Sequence, residues 1–211
     1  MKKLKRGILI SIEGIDGSGK STLAKNLLQK LVHNNYPTII TREPGGTTLG
    51  KQLRQIVQKK IVAISDKAEF LLFAADRAQH FQDLVLPHLE KNYIVISDRM
   101  ADSSLAYQGY GRGLCIKTLQ QINTWVMNET NPDITFYLKI SLETSINRLK
   151  QRNENLTSFE RENTIFTQKL INGFESIFEK KNHVYTFDGT LDQEELTEKT
   201  YQKIINYYKS L

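Results

Sequence analysis

Gly14-Ile15-Asp16-Gly17-Ser18-Gly19-Lys20-Ser21 fits the pattern G-x-x-x-x-G-K-[ST] in full. An apolar run, Ile8-Leu9-Ile10-Ser11-Ile12, precedes it. A stretch with helical spacing follows, Thr22-Leu23-Ala24-Lys25-Asn26-Leu27-Leu28-Gln29-Lys30-Leu31. Strand, loop, helix is the setting that separates a phosphate-binding loop from an ordinary Gly-rich turn with an exposed lysine. The glycines let the main chain turn tightly and aim its N–H groups inward, where the first turn of the helix adds partial positive charge. Residues 14–22 are therefore expected to cradle the phosphates of a nucleoside triphosphate. Lys20 is expected to reach the β- and γ-phosphates, and the Ser21 hydroxyl to ligate Mg²⁺.

Outward from this loop, short β-rich runs recur at residues 8–12, 38–41, 93–97, 134–138 and 183–187, several of them apolar almost throughout. Such runs suit strands covered on both faces. Helical spacing lies between them: a long helix from Asp66 to about Glu90 stopped at Asn92-Tyr93, then residues 116–129, 142–152, about 159–181 and 193–209. Repeated β-α units predict a three-layer α/β fold, a parallel sheet of about five strands with helices on both sides. No linker, repeat or low-complexity tract divides the chain, so one domain is expected over residues 1–211.

At 211 residues, with 39% hydrophobic and 25% charged side chains, the chain has the make-up of a soluble globular protein. Met1 to Arg6 resembles the basic start of a signal peptide, yet the apolar run after it ends at Glu13, too short for a signal core or a membrane span. A single cysteine, Cys115, excludes an internal disulfide and points to a cytoplasmic address. The net charge of +6 suits nucleic acid, an anionic membrane or phosphorylated small molecules. The basic residues are mostly dispersed, with short clusters at residues 2–6, 59–60 and 180–181, and no aromatic-arginine platform accompanies them. Phosphorylated small molecules are the expected partners, without nucleic acid or membrane.

In a parallel α/β sheet, ligands bind beyond the carboxyl ends of the strands. Asp98 closes the third strand, where a Mg²⁺-water ligand opposite the phosphate loop is expected, and Arg99 beside it can fork onto a phosphate. Phe73 and Arg77 lie four apart, on a helix face displaced from the apolar stripe of Ala68, Leu71, Leu72 and Ala75. They fit a base-stacking ring with a hydrogen-bonding guanidinium one turn later, or a core Phe beside a solvated Arg, the arrangement that spacing alone favours. Residues 107–113, Tyr-Gln-Gly-Tyr-Gly-Arg-Gly, read as a Gly-rich turn too irregular for core, either structural or substrate-facing. Arg148, Lys150, Arg152 and Arg161 surround the polar stretch 153–158, with Arg148 and Arg152 expected on one helix face, and fit a basic lid at about 148–162, or a solvated helix end.

Taken together, these segments resemble the bacterial-type thymidylate kinase family across nearly the whole chain. The carriers are residues 13–22, Thr41-Arg42-Glu43-Pro44-Gly45-Gly46-Thr47, Phe73-Ala74-Ala75-Asp76-Arg77, Asp98-Arg99 and Ser103-Ser104-Leu105-Ala106-Tyr107-Gln108-Gly109. The resemblance implies ATP-Mg²⁺-dependent phosphorylation of dTMP by a homodimer. It further implies that Phe73 stacks on thymine, Arg77 donates to its O4, and Arg99 holds the acceptor phosphate. By the same resemblance Tyr107 crowds the 2′ position, Ser104 and Gln108 line the base pocket, and Glu43 lies near the sugar. Asp16 is then near the acceptor phosphate and its magnesium. Gly17, where other members carry an arginine, implies a catalytic arginine from the lid: Arg152 first, then Arg148. The Asp-Arg-like pair common in such lids is replaced here by Thr157-Ser158. Competing classes are a kinase for another nucleotide or a deoxynucleoside, and a nucleotide-switched binding protein. A guanine-reading N-K-x-D run is absent from the chain.

Overall fold

The computed structural model describes residue 2 and residues 4–59, 62–152 and 157–211. Five strands form one sheet: β1 (Ile8–Glu13), β2 (Thr38–Arg42), β3 (Ile94–Asp98), β4 (Ile134–Lys139) and β5 (Val184–Asp188), in the order β2-β3-β1-β4-β5 with every pairing parallel. The phosphate-loop strand is thus central, as the apolar run at 8–12 requires. Alternation along β1 serves both layers. Ile8, Ile10 and Ile12 pack with Leu23, Leu27, Leu196 and Ile204 on one side, and Leu9 meets Phe81 and Val85 on the other. Register places Ile12, Asp98 and Arg42 level across three strands, so their carboxyl ends open on a common edge.

Among the described residues the helices are α1 (Lys20–His33), α2 (Thr48–Lys59), α3 (Asp66–His80), α4 (Leu86–Glu90), α5 (Ala101–Ser104), α6 (Ile116–Val126), α7 (Leu142–Gln151), α8 (Thr164–Phe178) and α9 (Gln193–Ser210). The expected long helix from Asp66 to Glu90 is continuous but contains a π-helical segment, Phe81–Val85, that joins α3 to α4. It starts behind Ser65, whose hydroxyl accepts from Ala68 N, and the turn at Asn92 adopts φ 59°. α8 starts at Thr164 rather than near 159, because Asn163 caps it by accepting from Phe166 N at 2.8 Å.

Two elements depart from the sequence reading. The Gly-rich segment is no turn: α5 runs directly into a π-helix, Leu105–Gly111, in which Tyr107, Gln108 and Gly109 are buried. A side chain at position 111 would collide with the Phe166 ring, so the glycine permits close helix packing where a bend was expected. α2 was not anticipated at all. Only Gly50 and Val57 of it are buried, while Leu49 and Ile56 of its apolar stripe point outward.

Candidate active site

The phosphate loop leaves β1 with Gly17 at φ 79° and Gly19 at φ 96°, conformations that suit glycine and bring main-chain N–H groups into line ahead of α1. No side chain caps α1, so its first N–H groups stay available to an anion. Lys20 is buried, and its Nζ donates to Ile15 O at 2.7 Å and Ser18 Oγ at 3.3 Å. Burial, with nearby Arg99, pulls its pKa down to about 8. The Ser21 hydroxyl donates to Asp98 Oδ2 across the cleft. These are two hard oxygen donors, and among the described residues no cluster of three or more His, Cys, Asp or Glu could hold a metal alone. A divalent cation here would need phosphate and water oxygens to complete its shell, which is the habit of Mg²⁺.

Arg99 follows the carboxyl end of β3 with φ 72°. Its Nη1 donates to Gly14 O at 2.9 Å and Ser103 Oγ at 3.0 Å. Its Nη2 donates to Tyr107 OH at 3.1 Å and pairs with Asp16. Burial opposes the charged form, but Tyr107, Asp16 and Asp98 outweigh it and raise the guanidinium above its ordinary value. For Asp16, burial acts upward while Arg99 and Lys20 prevail and hold the carboxyl below its usual range. Asp16 therefore belongs to the Arg99 cluster, where Tyr107 also donates to it at 3.1 Å. Glu13, which the sequence reading left without a role, anchors this corner. It accepts from Ser11 Oγ, Met100 N and Ser103 Oγ at 2.6–2.9 Å, and burial, with Asp102, pushes its pKa up to about 7.

The second half of the cleft is built around Arg77, which is 1% exposed and so is not a solvated arginine. Its Nε donates to Glu43 Oε2 at 2.7 Å, Nη1 to Asn123 Oδ1 at 2.7 Å and Nη2 to Ser104 Oγ at 3.0 Å. Two of its five N–H groups are left over from these bonds. Burial would lift the Glu43 carboxyl, but Arg77 and His80 together hold it below its usual value. The Glu43 loop is further tied down by Asp76, which accepts from Gly45 N at 3.0 Å. Phe73 faces the cleft with its ring centroid 5.8 Å from that of Phe159, which also meets Tyr107 at 5.7 Å.

Phosphate loop, Asp98-Arg99, Glu43, Phe73, Arg77, Ser104, Tyr107, Gln108, Arg148 and Arg152 all line one cleft of about 960 Å³. Arg148 Nη1 donates to Gly17 O at 3.1 Å and Gly189 O at 2.9 Å, bridging the phosphate loop to the turn after β5. Arg152 Nη2 donates to Glu160 at 2.6 Å. The two arginines do not share a helix face, because Arg152 has left α7 with ψ 119°. Positions 153–156 of the expected lid lie outside the described residues. Its later part docks on the end of α2, Ser158 N and Oγ donating to Gln58 O and Val57 O at 3.1 and 2.9 Å. Sequence reasoning missed Arg54 and Phe159 as cleft-lining groups. A helical stripe of Leu49, Leu53 and Ile56 was the available signal for the first, and a lone aromatic in a polar segment for the second.

A loop of glycine-shaped main chain under one end of a cleft, with a buried hydrogen-bonding arginine at the other, is the layout of a P-loop kinase acting on a small nucleotide. Comparison with known proteins narrows that class. The chain belongs to the thymidylate kinase family, whose family model matches residues 12–200. The thymidylate kinase of Halothermothrix orenii is 39% identical over 201 residues, covering 94% of this chain and 97% of that protein. The thymidylate kinase of Carboxydothermus hydrogenoformans is 43% identical over 169 residues, 80% and 83% of the two chains. That of Staphylococcus haemolyticus is 36% identical over 201 residues, 95% and 98%.

Proposed function

We propose that the cleft transfers the γ-phosphoryl group of ATP to dTMP, giving dTDP and ADP. The observation that carries this reading is the buried Arg77, which lines the same cleft as Lys20 and Ser21 and keeps two N–H groups beyond its three side-chain bonds. The test is ATP consumption with dTMP, dUMP, dCMP, CMP, AMP and thymidine as acceptors. dTMP should turn over best, dUMP less well for want of the methyl contact, and thymidine not at all. Fast turnover with AMP and none with dTMP would refute the reading.

The acceptor phosphate is mostly a dianion near neutrality, its second pKa being about 6. It is already a nucleophile, so no general base is required. The task is to bring two polyanions into line while cations offset their repulsion. Residues 14–22 cradle the triphosphate, and Lys20 turns from Ile15 O and Ser18 Oγ to the phosphates. Ser21 and Asp98 would hold Mg²⁺, which supplies neutralising charge on the phosphate oxygens. Arg99, oriented by Asp16, takes the acceptor phosphate. Arg152 is the lid guanidinium that reaches the transferring group, exchanging Glu160 for phosphate, while Arg148 keeps its backbone carbonyls and sets the loop. The segment at about 148–162 acts as the lid of one single unit spanning the chain.

Phe73 offers its face to the thymine, Arg77 donates to O4, Ser104 and Gln108 line the ring, and Tyr107 crowds the 2′ position. Glu43 acts mainly through Arg77 rather than on the sugar. Arg77→Ala is therefore expected to do two things. Discrimination between dTMP and dCMP should drop, and the fold should lose about 3 kcal/mol, since a buried carboxylate loses its main partner. Acceptor competition assays and chemical denaturation check the two separately; an unchanged dTMP/dCMP ratio would remove the base-reading role.

The same reading includes a homodimer acting in the cytoplasm. Leu49 and Ile56 of α2, Leu71 of α3 and Trp125 of α6 are exposed apolar side chains on helices packed side by side, with Trp125 78% exposed. The lone exposed Cys115 fits a reducing compartment, and no helix among the described residues is long and apolar enough to cross a membrane. Sedimentation should give a dimer for the parent chain and a monomer for Leu71→Glu. A monomeric parent would end this part of the proposal.

A further inference from the structure

One side chain in the acceptor half of the cleft has its orientation imposed from behind. Gln108 is 1% exposed, lines the cleft, and donates from Nε2 to Glu69 Oε1 at 3.0 Å. Glu69, on α3 and itself buried, receives the Arg112 guanidinium on both oxygens, Nε on Oε1 and Nη2 on Oε2, each at 3.3 Å. Arg112 in turn pairs with Glu162 at 2.7 Å and lies 4.5 Å from the Phe166 ring centroid. A carboxylate that accepts a guanidinium on both oxygens has no proton to give. The neighbouring amide must then present its NH₂ to Glu69, for the reverse orientation would set oxygen against oxygen. Its carbonyl Oε1 is left to the cleft, and among the described residues nothing donates to it.

We propose that Glu69, braced by Arg112, is the positioning residue that makes the acceptor site read a pyrimidine carrying a 4-oxo group and an N3–H. It does so by fixing Gln108 as a hydrogen-bond acceptor. This rests on the dTMP reading above and concerns how the ring is recognised. Arg77 supplies donors and Gln108 an acceptor. Thymine and uracil present the complement, an accepting O4 and a donating N3–H, whereas cytosine presents an amino donor and a bare N3, the reverse at both points. A rotating amide could turn its NH₂ to the cytosine N3 and recover half of the match. Glu69 removes that option, and a site committed to its hydrogen bonds rejects the mismatched analogue far more strongly than an adaptable one.

Glu69→Gln is nearly isosteric and can either accept or donate, so both orientations of Gln108 become available. With dTMP and dCMP as competing acceptors, the ratio of their kcat/KM values is expected to fall at least about tenfold. The fall should come through a higher KM for dTMP and improved use of dCMP, with kcat for dTMP within about threefold of the parent. A residue that merely supported the fold would lower both acceptors alike, so an unchanged ratio in a folded Glu69→Gln protein overturns the proposal. Should that variant not fold, Arg112→Lys decides by the same ratio, because lysine keeps the charge but cannot fork onto both oxygens. A parent enzyme that ignores dTMP would instead defeat the function itself, which keeps the two failures apart.

Discussion

Replacing Lys20 with alanine is expected to lower turnover at least about a hundredfold while leaving the folding stability almost untouched. The two effects separate for a physical reason. Lys20 is buried beside Arg99, and both circumstances work against its charge, which is why its pKa is pulled down to about 8. On the proposed function the ammonium is held ready for an anion rather than as a stabilising contact. Its two partners, Ile15 O and Ser18 Oγ, are a neutral carbonyl and a neutral hydroxyl, so its removal leaves no buried charge without a counter-ion. The sign of the pH dependence follows. Lys20 is protonated below about 8 and neutral above, so kcat/KM for ATP in the free enzyme should decline as pH rises through 8. For dTMP, a rising limb near 6 should come from the acceptor's own phosphate. Turnover of Lys20→Ala within tenfold of the parent, or a profile flat to pH 9.5, would take the phosphate role away from this side chain.

Arg99→Ala is expected to match that loss, again at least about a hundredfold in turnover, and Arg99→Lys should recover little of it. The guanidinium is aimed before any ligand arrives. Gly14 O, Ser103 Oγ, Tyr107 OH and Asp16 hold it, and the Tyr107 ring lies 5.1 Å from its centre. Lysine has one point charge and no fork, so it cannot satisfy these partners and a dianion in the same geometry. Truncation also frees Asp16, a carboxylate that would then face the incoming acceptor phosphate and repel it. Both kcat and the KM for dTMP should therefore worsen, whereas the KM for ATP should move much less. Steady-state kinetics with each substrate varied in turn reads this directly. An ATP affinity that falls as steeply as dTMP affinity would relocate Arg99 to the donor side.

The contrast between these residues and Gln108 shows why parts of the site were legible and others were not. Gly17, Gly19, Lys20 and Ser21 act through a backbone conformation set by their immediate neighbours, so the spacing of the motif carries their placement. Asp98 and Arg99 follow from the end of an apolar strand. Arg77 is different: whether it is solvated or buried depends on Glu43, Asn123 and Ser104, which lie 34, 46 and 27 residues away. Periodicity on α3 left both options open for that reason. The segment 107–113 reads as an irregular turn because glycines punctuate turns, yet Gly111 instead lets Phe166 and Leu170 of α8 approach closely. α2 was missed although Leu49, Leu53 and Ile56 stand at helical spacing; that Leu49 and Ile56 stay exposed was decided by the tertiary structure.

Local order was thus decided by the chain itself: five short β-rich runs, several apolar almost throughout, a glycine-lysine loop between strand and helix, and the chain order that makes the sheet parallel. Those features depend on interactions within a few residues or on the solvent preference of single side chains. Tertiary structure decided which charges are buried, which end of an amide looks into the cleft and which arginine is already engaged. Each of these is set by partners distant in sequence, and the low dielectric that makes such pairings matter exists only once the layers have closed over them.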